Sequence, residues 1–241
     1  VGETMLVLAH RGYSGKAPEN TMAAFQMALE VNADGLELDV HLSKDGEVVV
    51  CHDGTLDRTT NGTGLIEDYS FSELQEFDAG SWFSQEYKGE RIPSLRQVCE
   101  LVKDRDILFN VELKAGLGFE SLCEKVAQLL DEYDLHERTI ISSFNHYSLV
   151  YFKNIRPSVR TGILYSAGLY EPWEYAKRLG ATALHSSQYA IVPEIVAEAQ
   201  KHGMMVNPYT VDRPEDIERM KTAKVDCIIT NQPERVQSMI S

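Results

Sequence analysis

Leu36-Glu37-Leu38-Asp39-Val40-His41-Leu42 is the stretch whose reading decides the fold. Successive side chains of a strand point to opposite faces, so Leu36, Leu38, Val40 and Leu42 share one face and Glu37, Asp39 and His41 the other. Taken singly, the acidic face would be the solvated side of an antiparallel strand. The rest of the chain argues otherwise. Seven further apolar or β-branched runs read as strands: Met5–Ala9, Ile107–Leu113, Thr139–Ser143, Arg160–Tyr165, Ala181–His185, Met204–Thr210 and Cys227–Thr230. Segments of helical period follow most of them, at Thr21–Val31, Phe119–Tyr133, His146–Asn154, Pro172–Leu179, Pro193–His202, Pro214–Lys221 and after Pro233. Pro172, Pro193, Pro214 and Pro233 each stand in an expected first helical turn, where a missing N–H costs nothing. Eight alternating β/α units predict a (β/α)8 TIM barrel rather than an open doubly wound sheet. The second face of Leu36–Leu42 is then the barrel interior, with Glu37 and Asp39 pointing into it.

One region breaks the alternation. Ser43-Lys44-Asp45-Gly46 reads as a turn leading into Glu47–Cys51, hence a β-hairpin. With the turn centred there, Ser43 pairs with Glu47 and Asp39 with Cys51, which brings His52 back level with Leu38. Residues 53–92 are rich in Gly, Thr, Asp and aromatics and read as a small insertion at the barrel mouth. It contains one short helix, with a Ser70/Glu73 capping box and Gly80 as its stop. The barrel resumes at Pro93-Ser94-Leu95, where Ser94 and Gln97 fit a second capping box. The chain is therefore read as one domain, 1–241, with the insertion at 53–92.

The length of 241 residues, 43% of them hydrophobic, suits one such barrel. The longest apolar runs fall far short of the ~18 residues of a membrane span, and no signal peptide is read at the start. A formal charge of −14 repels phosphate backbones and anionic headgroups, so neither nucleic-acid binding nor stable membrane anchoring is expected. It does not oppose one small phosphate ligand in a locally positive cleft. Cys51, Cys99, Cys123 and Cys227 lie among apolar neighbours without CxxC spacing and read as reduced core residues of a cytoplasmic protein.

Active sites of these barrels lie at the C-terminal ends of the strands. The first strand ends in His10-Arg11-Gly12, the second carries Glu37 and Asp39, the third Glu112-Leu113-Lys114. Neighbouring strands bring Glu37, Asp39 and Glu112 together, and three buried like charges are tolerable if a cation binds among them. All-oxygen ligands favour one hard divalent ion, Mg²⁺ or Ca²⁺. His10 and His52 stand at the same mouth, where one imidazole can take a proton and the other give one. Arg11 and Lys114 supply positive charge for an oxyanion.

These residues carry a resemblance. His10-Arg11-Gly12 followed by Pro18-Glu19-Asn20-Thr21 and Ala24-Phe25, then Glu37-Leu38-Asp39-Val40, Lys44-Asp45-Gly46, His52-Asp53, Leu56-Asp57-Arg58-Thr59-Thr60, Ile92-Pro93-Ser94-Leu95 and Glu112-Leu113-Lys114, is similar in order and spacing to the glycerophosphodiester phosphodiesterase family. Ile140–Phe144 and Ile228–Pro233 fit as well, so the likeness spans about nine-tenths of the chain. The resemblance implies hydrolysis of small glycerophosphodiesters to sn-glycerol 3-phosphate and an alcohol, with a divalent metal on Glu37, Asp39 and Glu112. It also implies acid/base work by His10 and His52 and phosphate contacts from Arg11 and Lys114. Two departures stand out. Tyr209-Thr210-Val211-Asp212 replaces the family's usual Trp-Thr-Val-Asn, and Asn231 stands where an Asp is usual. Neither is expected to touch the catalytic set, and both bear on the head group.

The bland readings stand beside these. His136, His146 and His202 read as surface residues, and His41 as lying outside the site. His185 could end its strand in the pocket. Glu19 and Asn20 could support the site or cap the first helix. Phe144 and Tyr209 could pack against substrate or be rim aromatics. A lysophospholipase D-like or other lipid phosphodiesterase on the same barrel is the alternative enzyme, and a non-catalytic phosphate-binding protein the alternative outside catalysis. The residues leave open a homodimer, the metal, the alcohol, and whether water or the glycerol 2-hydroxyl attacks first.

Overall fold

The computed structural model describes residues 5–241; residues 1–4, the start of the single domain read above, lie outside the described residues. Nine strands form one sheet: β1 (Leu6–His10), β2 (Gly35–Leu42), β3 (Val48–Val50), β4 (Leu108–Leu113), β5 (Thr139–Ser143), β6 (Arg160–Tyr165), β7 (Ala183–Ser186), β8 (Met205–Val206) and β9 (Cys227–Thr230). All but β3 run parallel in the order β8-β7-β6-β5-β4-β2-β1-β9. The two ends of that order meet: Asp226 N donates to Val206 O at 3.1 Å and Ile229 N to Pro208 O at 3.0 Å. The fold is the (β/α)8 barrel.

The helices are α1 (Met22–Glu30), α2 (Phe71–Leu74), α3 (Leu95–Val102), α4 (Glu120–Glu132), α5 (His146–Ile155), α6 (Pro172–Arg178), α7 (Pro193–Lys201), α8 (Pro214–Ala223) and α9 (Pro233–Ile240). Four of them, α6 to α9, begin on the expected prolines. Thr21, not Asn20, caps α1: its Oγ1 accepts from Ala24 N. Ser94 and Gln97 close a reciprocal capping box on α3. No helix among the described residues is long and apolar enough to cross a membrane.

The main core lies between sheet and helices, where Phe25, Leu38, Val98, Phe109, Val126 and Phe152 are fully buried. Burying each such side chain contributes about 1.5–3 kcal/mol. All four cysteines are buried and free. A second, smaller cluster of Leu8, Leu108, Ile140, Cys227 and Ile229 fills the barrel interior. One step nearer the C-terminal ends, the same strand faces turn polar: Asn110 follows Leu108 and Ser142 follows Ile140, both buried.

The hairpin has the expected register. Val40 pairs with Val50 and Leu42 with Val48, while Ser43 N bonds Glu47 O and Cys51 N bonds Asp39 O. Strand Met204–Thr210 is shorter than expected, covering Met205–Val206. Pro208 has no N–H to continue the ladder, yet the chain stays alongside β7 through Asn207 N to Leu184 O and Tyr209 N to Ser186 O. Beyond the hairpin, Leu56, Ile66, Leu74 and Ala79 make their own cluster with Val49, Cys51 and Ile92. The α2 capping box is present, but the helix ends at Leu74, well before Gly80. Gly80 serves a close approach instead, since a Cβ there would meet Tyr87 O at 1.9 Å.

Candidate active site

Register places the acidic residues. His10 pairs with Glu37, Asp39 with Glu112, and Glu112 with Ser142, so the three carboxylates meet at the C-terminal ends of β2 and β4. One oxygen from each lies within 4.8 Å of the others, the single such group of potential metal ligands among the described residues. All three are buried, Asp39 completely. Two cations stand among them. Lys114 Nζ lies 2.7 Å from Glu112 Oε1 and 3.1 Å from Asp39 Oδ1, and Arg11 Nε lies 3.3 Å from Asp39 Oδ2. Three acids against two bases leave an excess negative charge in a buried place.

That excess shows in the acidities. Burial, then the charges of Asp39 and Glu112, push the Glu37 carboxyl well above the ordinary range. Burial and Asp39 push Glu112 up to about 7. Burial also opposes ionisation of Asp39, but Lys114 and Arg11 overcome it and hold that carboxyl down at about 2. Asn20 Nδ2 donates to Asp39 Oδ2 at 2.9 Å, whereas the buried Oδ1 accepts no hydrogen bond despite its contact with Lys114. Clustered buried oxygen donors and the suppressed ionisation of Glu37 and Glu112 are what a divalent-ion site has before its ion is bound. The residues fit such an ion.

Both expected histidines reach this place. His10 ends β1 with Nε2 3.9 Å from Glu37 Oε2. Burial and the Arg11 charge lower its pKa to about 4, so it is neutral near pH 7. His52 follows the hairpin, and its Nδ1 meets Asp53 Oδ1 at 2.7 Å. A carboxylate only accepts, so His52 Nδ1 carries a proton and donates it to Asp53. Arg11 adopts a left-handed φ of 57°, uncommon outside glycine. Its N–H is held by Glu37 O and Oε2, at 2.9 and 3.1 Å, which keeps the chain in that conformation. Glu19 supports Arg11 at 2.8 Å and is itself gripped by Arg58, which also holds Asp53.

Asn231 requires a correction. Expected to lie apart from the residues assigned acid/base work, it is hydrogen-bonded to one of them: Asn231 Oδ1 is 2.7 Å from His10 Nδ1. The amide is oriented by Asp212, which accepts from Asn231 Nδ2 at 2.7 Å and from its backbone N–H at 2.8 Å. Asp212 and Asn231, one from each departure from the family pattern, thus form an acid–amide pair behind His10. Sequence distance hid this, since 19 residues separate the two and 221 separate Asn231 from His10.

A cavity of about 280 Å³ opens beside these groups, lined by His10, Arg11, Glu37, His52, Glu112 and Lys114 at one side. Phe144 and Tyr209 line it too, their rings edge-on at 6.1 Å. Phe144 is largely exposed, and Tyr209 Oη donates to Tyr165 O. His185 lines the same cavity. His41 does not; its Nε2 meets His52 O and steadies the hairpin end. A larger cleft, about 960 Å³ around Met5, Gln200 and Lys224, holds no such cluster of acids among the described residues. The acids, cations and histidines converge on the smaller one.

The model of the glycerophosphoryl diester phosphodiesterase family matches residues 10–235. The chain belongs to that family. It is an enzyme of the phosphoric diester hydrolase class. A glycerophosphodiester phosphodiesterase of Caldanaerobacter subterraneus subsp. tengcongensis is 49% identical over 98% of this chain and 97% of its own length. A solved phosphodiesterase from Oleispira antarctica, in complex with the product sn-glycerol-3-phosphate, is 34% identical with a TM-score of 0.93, covering 98% of this chain and 97% of that one. A glycerophosphodiester phosphodiesterase from Agrobacterium tumefaciens superposes with a TM-score of 0.86 at 30% identity, over 97% and 99% of the two chains. Membership of this phosphodiesterase family explains why a barrel interior carries so much charge.

Proposed function

We propose that this chain hydrolyses glycerophosphodiesters to sn-glycerol 3-phosphate and an alcohol. The observation that carries the reading is the meeting of two imidazoles, two fixed cations and a cluster of three buried carboxylates at one small cavity. The likeness to the Oleispira antarctica enzyme, whose complex holds sn-glycerol-3-phosphate, supports the product. Arg11 and Lys114 face the phosphoryl oxygens and stabilise the charge that grows on them. His10 and His52 divide the proton traffic: one removes a proton from the attacking hydroxyl, and the other protonates the departing alkoxide. Glu37, Asp39 and Glu112 hold one divalent cation, Mg²⁺ or Ca²⁺, which supplies Lewis acidity when bound. Glu19, Asn20, Asp53 and Arg58 keep these groups in place by the hydrogen bonds given above.

Incubating the protein and a divalent cation with glycerophosphocholine, glycerophosphoethanolamine or glycerophosphoglycerol, and resolving products by phosphorus NMR, tests the reading. Formation of sn-glycerol 3-phosphate is expected. Release of phosphocholine with free glycerol, or no turnover of any diester, would overturn it.

A further inference from the structure

The inner end of the cavity is polar where a barrel core is usually aliphatic. Asn110, Ser142 and His185 line it, and all three are buried, Asn110 and His185 completely. Asn207, equally buried, stands behind His185 with its Nδ2 3.1 Å from His185 Nε2. An amide nitrogen only donates, so Nε2 accepts and the neutral ring carries its proton on Nδ1. That Nδ1–H has no hydrogen-bond partner in the protein, and neither has Asn110 Oδ1. Asn110 Nδ2, by contrast, is spent on Ile140 O and Ser142 Oγ. The floor thus offers a free donor on His185 and a free acceptor on Asn110, and Asn207 Oδ1 behind the ring is unpartnered as well. Burying such groups unsatisfied is costly, and native proteins rarely do so without a ligand or water.

The chain also makes room for this arrangement. Gly162 on β6 lies against the ring, and a Cβ there would sit 2.7 Å from His185 Cδ2 and Nε2. Asn110 is two residues before Glu112 on β4, a step of roughly 7 Å along the strand. The floor therefore lies one short chain length below the groups facing the phosphate.

We infer that Asn110 and His185 form a subsite that recognises the terminal hydroxyl of the glycerol moiety, the one farthest from the phosphate. This rests on the proposed hydrolysis of glycerophosphodiesters and names which part of the substrate enters first. The glycerol half is common to all such substrates, whereas the alcohol varies. The constant half belongs in the enclosed end with fixed polar partners, and the variable half at the open mouth beside Phe144. A hydroxyl is both donor and acceptor, so it satisfies Nδ1–H and Oδ1 together. Leu164, which also lines the cavity, covers the carbon chain.

The test compares glycerophosphocholine with its analogue lacking only the terminal hydroxyl, on the wild type and on His185→Leu. The wild type should favour the natural substrate by roughly 10–100-fold in kcat/KM, the range for leaving buried polar partners unpaired. His185→Leu should shrink that ratio toward one, chiefly by losing rate on the natural substrate. An unchanged ratio, with both substrates slowed alike, would overturn the subsite while leaving the hydrolysis reading intact. No turnover of either by the wild type would instead sink the hydrolysis reading. If His185→Leu fails to fold, Gly162→Ala, which displaces the ring, should shrink the ratio in the same way. Should that variant also fail, sn-glycerol 3-phosphate and its terminal deoxy analogue are compared as ligands of the wild type. Equal affinity there would overturn the subsite.

Discussion

Asn231 Oδ1 stands 2.7 Å from His10 Nδ1 and 2.6 Å from Ser14 Oγ. An amide oxygen only accepts, so His10 must keep its proton on Nδ1 and turn a bare Nε2 to the cavity. Asp212 in turn fixes which way the amide faces. Asn231→Ala should lower kcat by roughly 10–100-fold with little change in KM, because the ring loses its tautomer and aim rather than its contact with substrate. Asn231→Asp alone sets two carboxylates against each other. The reciprocal exchange Asn231→Asp with Asp212→Asn restores an acid–amide pair and should recover more activity than either single change. Steady-state kinetics on the four proteins checks this, and strict additivity would contradict it.

Removing Glu112 probes the acidic cluster. Burial and Asp39 hold its carboxyl at about 7 until a cation offsets the repulsion. Glu112→Gln keeps shape and removes charge, so Mg²⁺ or Ca²⁺ affinity by calorimetry should fall by about 10–100-fold or more. Excess chelator should abolish turnover by the wild type, and added cation should restore it. Full activity in chelator would remove the metal from the proposed chemistry.

His185 ties stability to pH. Burial lowers its pKa from 6.5 to about 4, so the folded ring stays neutral where the unfolded one gains a proton. Its contribution is present in full above about 6.5 and is lost as pH falls toward about 4, at up to about 1.4 kcal/mol per pH unit. The stability difference between wild type and His185→Leu, from urea unfolding at several pH values, should therefore change between pH 6.5 and 4 and be flat above. A flat difference throughout would show a charged or solvated ring.

The stretch 53–92 is proposed to shape substrate choice without being needed to close the barrel. It has its own cluster around Leu56, Ile66 and Leu74, and its Arg58 grips Glu19 and Asp53 beside the site. Loops at this barrel face usually set specificity. Replacing it with a short Gly/Ser linker should leave a folded barrel, with a lowered melting temperature because Val49 and Cys51 lose cover, and with altered or lost turnover. A chain that no longer folds under mild conditions would make the stretch part of the core.

Much of this was legible in the order of residues. Alternation around Glu37 and Asp39, the helix-starting prolines and the Asp45-Gly46 turn are local signals, and each produced its element where expected. The hairpin register followed from the turn alone, and it brought Cys51 back to Asp39 with His52 next in the chain. Position within a closed barrel then brought β1, β2 and β4 together. What stayed hidden depends on contacts that no local pattern encodes. Asn231 reaches His10 only because β9 pairs with β1. Asp53 could be seen beside His52, but not that its carboxylate turns back onto the ring. The polar layer of Asn110, His185 and Asn207 comes from three separate strands or strand ends, each with an unremarkable neighbourhood. Pro208 shortened β8 although its surroundings read as extended, because a ladder needs donors as well as shape.

The pair of histidines is the heart of the proposed chemistry, and the leaving group is its most direct probe. His10→Ala and His52→Ala should each lower kcat on glycerophosphocholine by ~10²–10⁴-fold, the usual range for a positioned acid or base, with little loss of stability. A nitrophenyl glycerophosphodiester has a leaving group that needs almost no proton. The variant lacking the general acid should therefore regain much of its rate on that substrate, and the variant lacking the base should not. Measuring kcat for both variants on both substrates decides the matter: rescue of one histidine variant and not the other is the expected result, whereas equal rescue, or near-wild-type kcat for either variant on glycerophosphocholine, would contradict the acid/base pair.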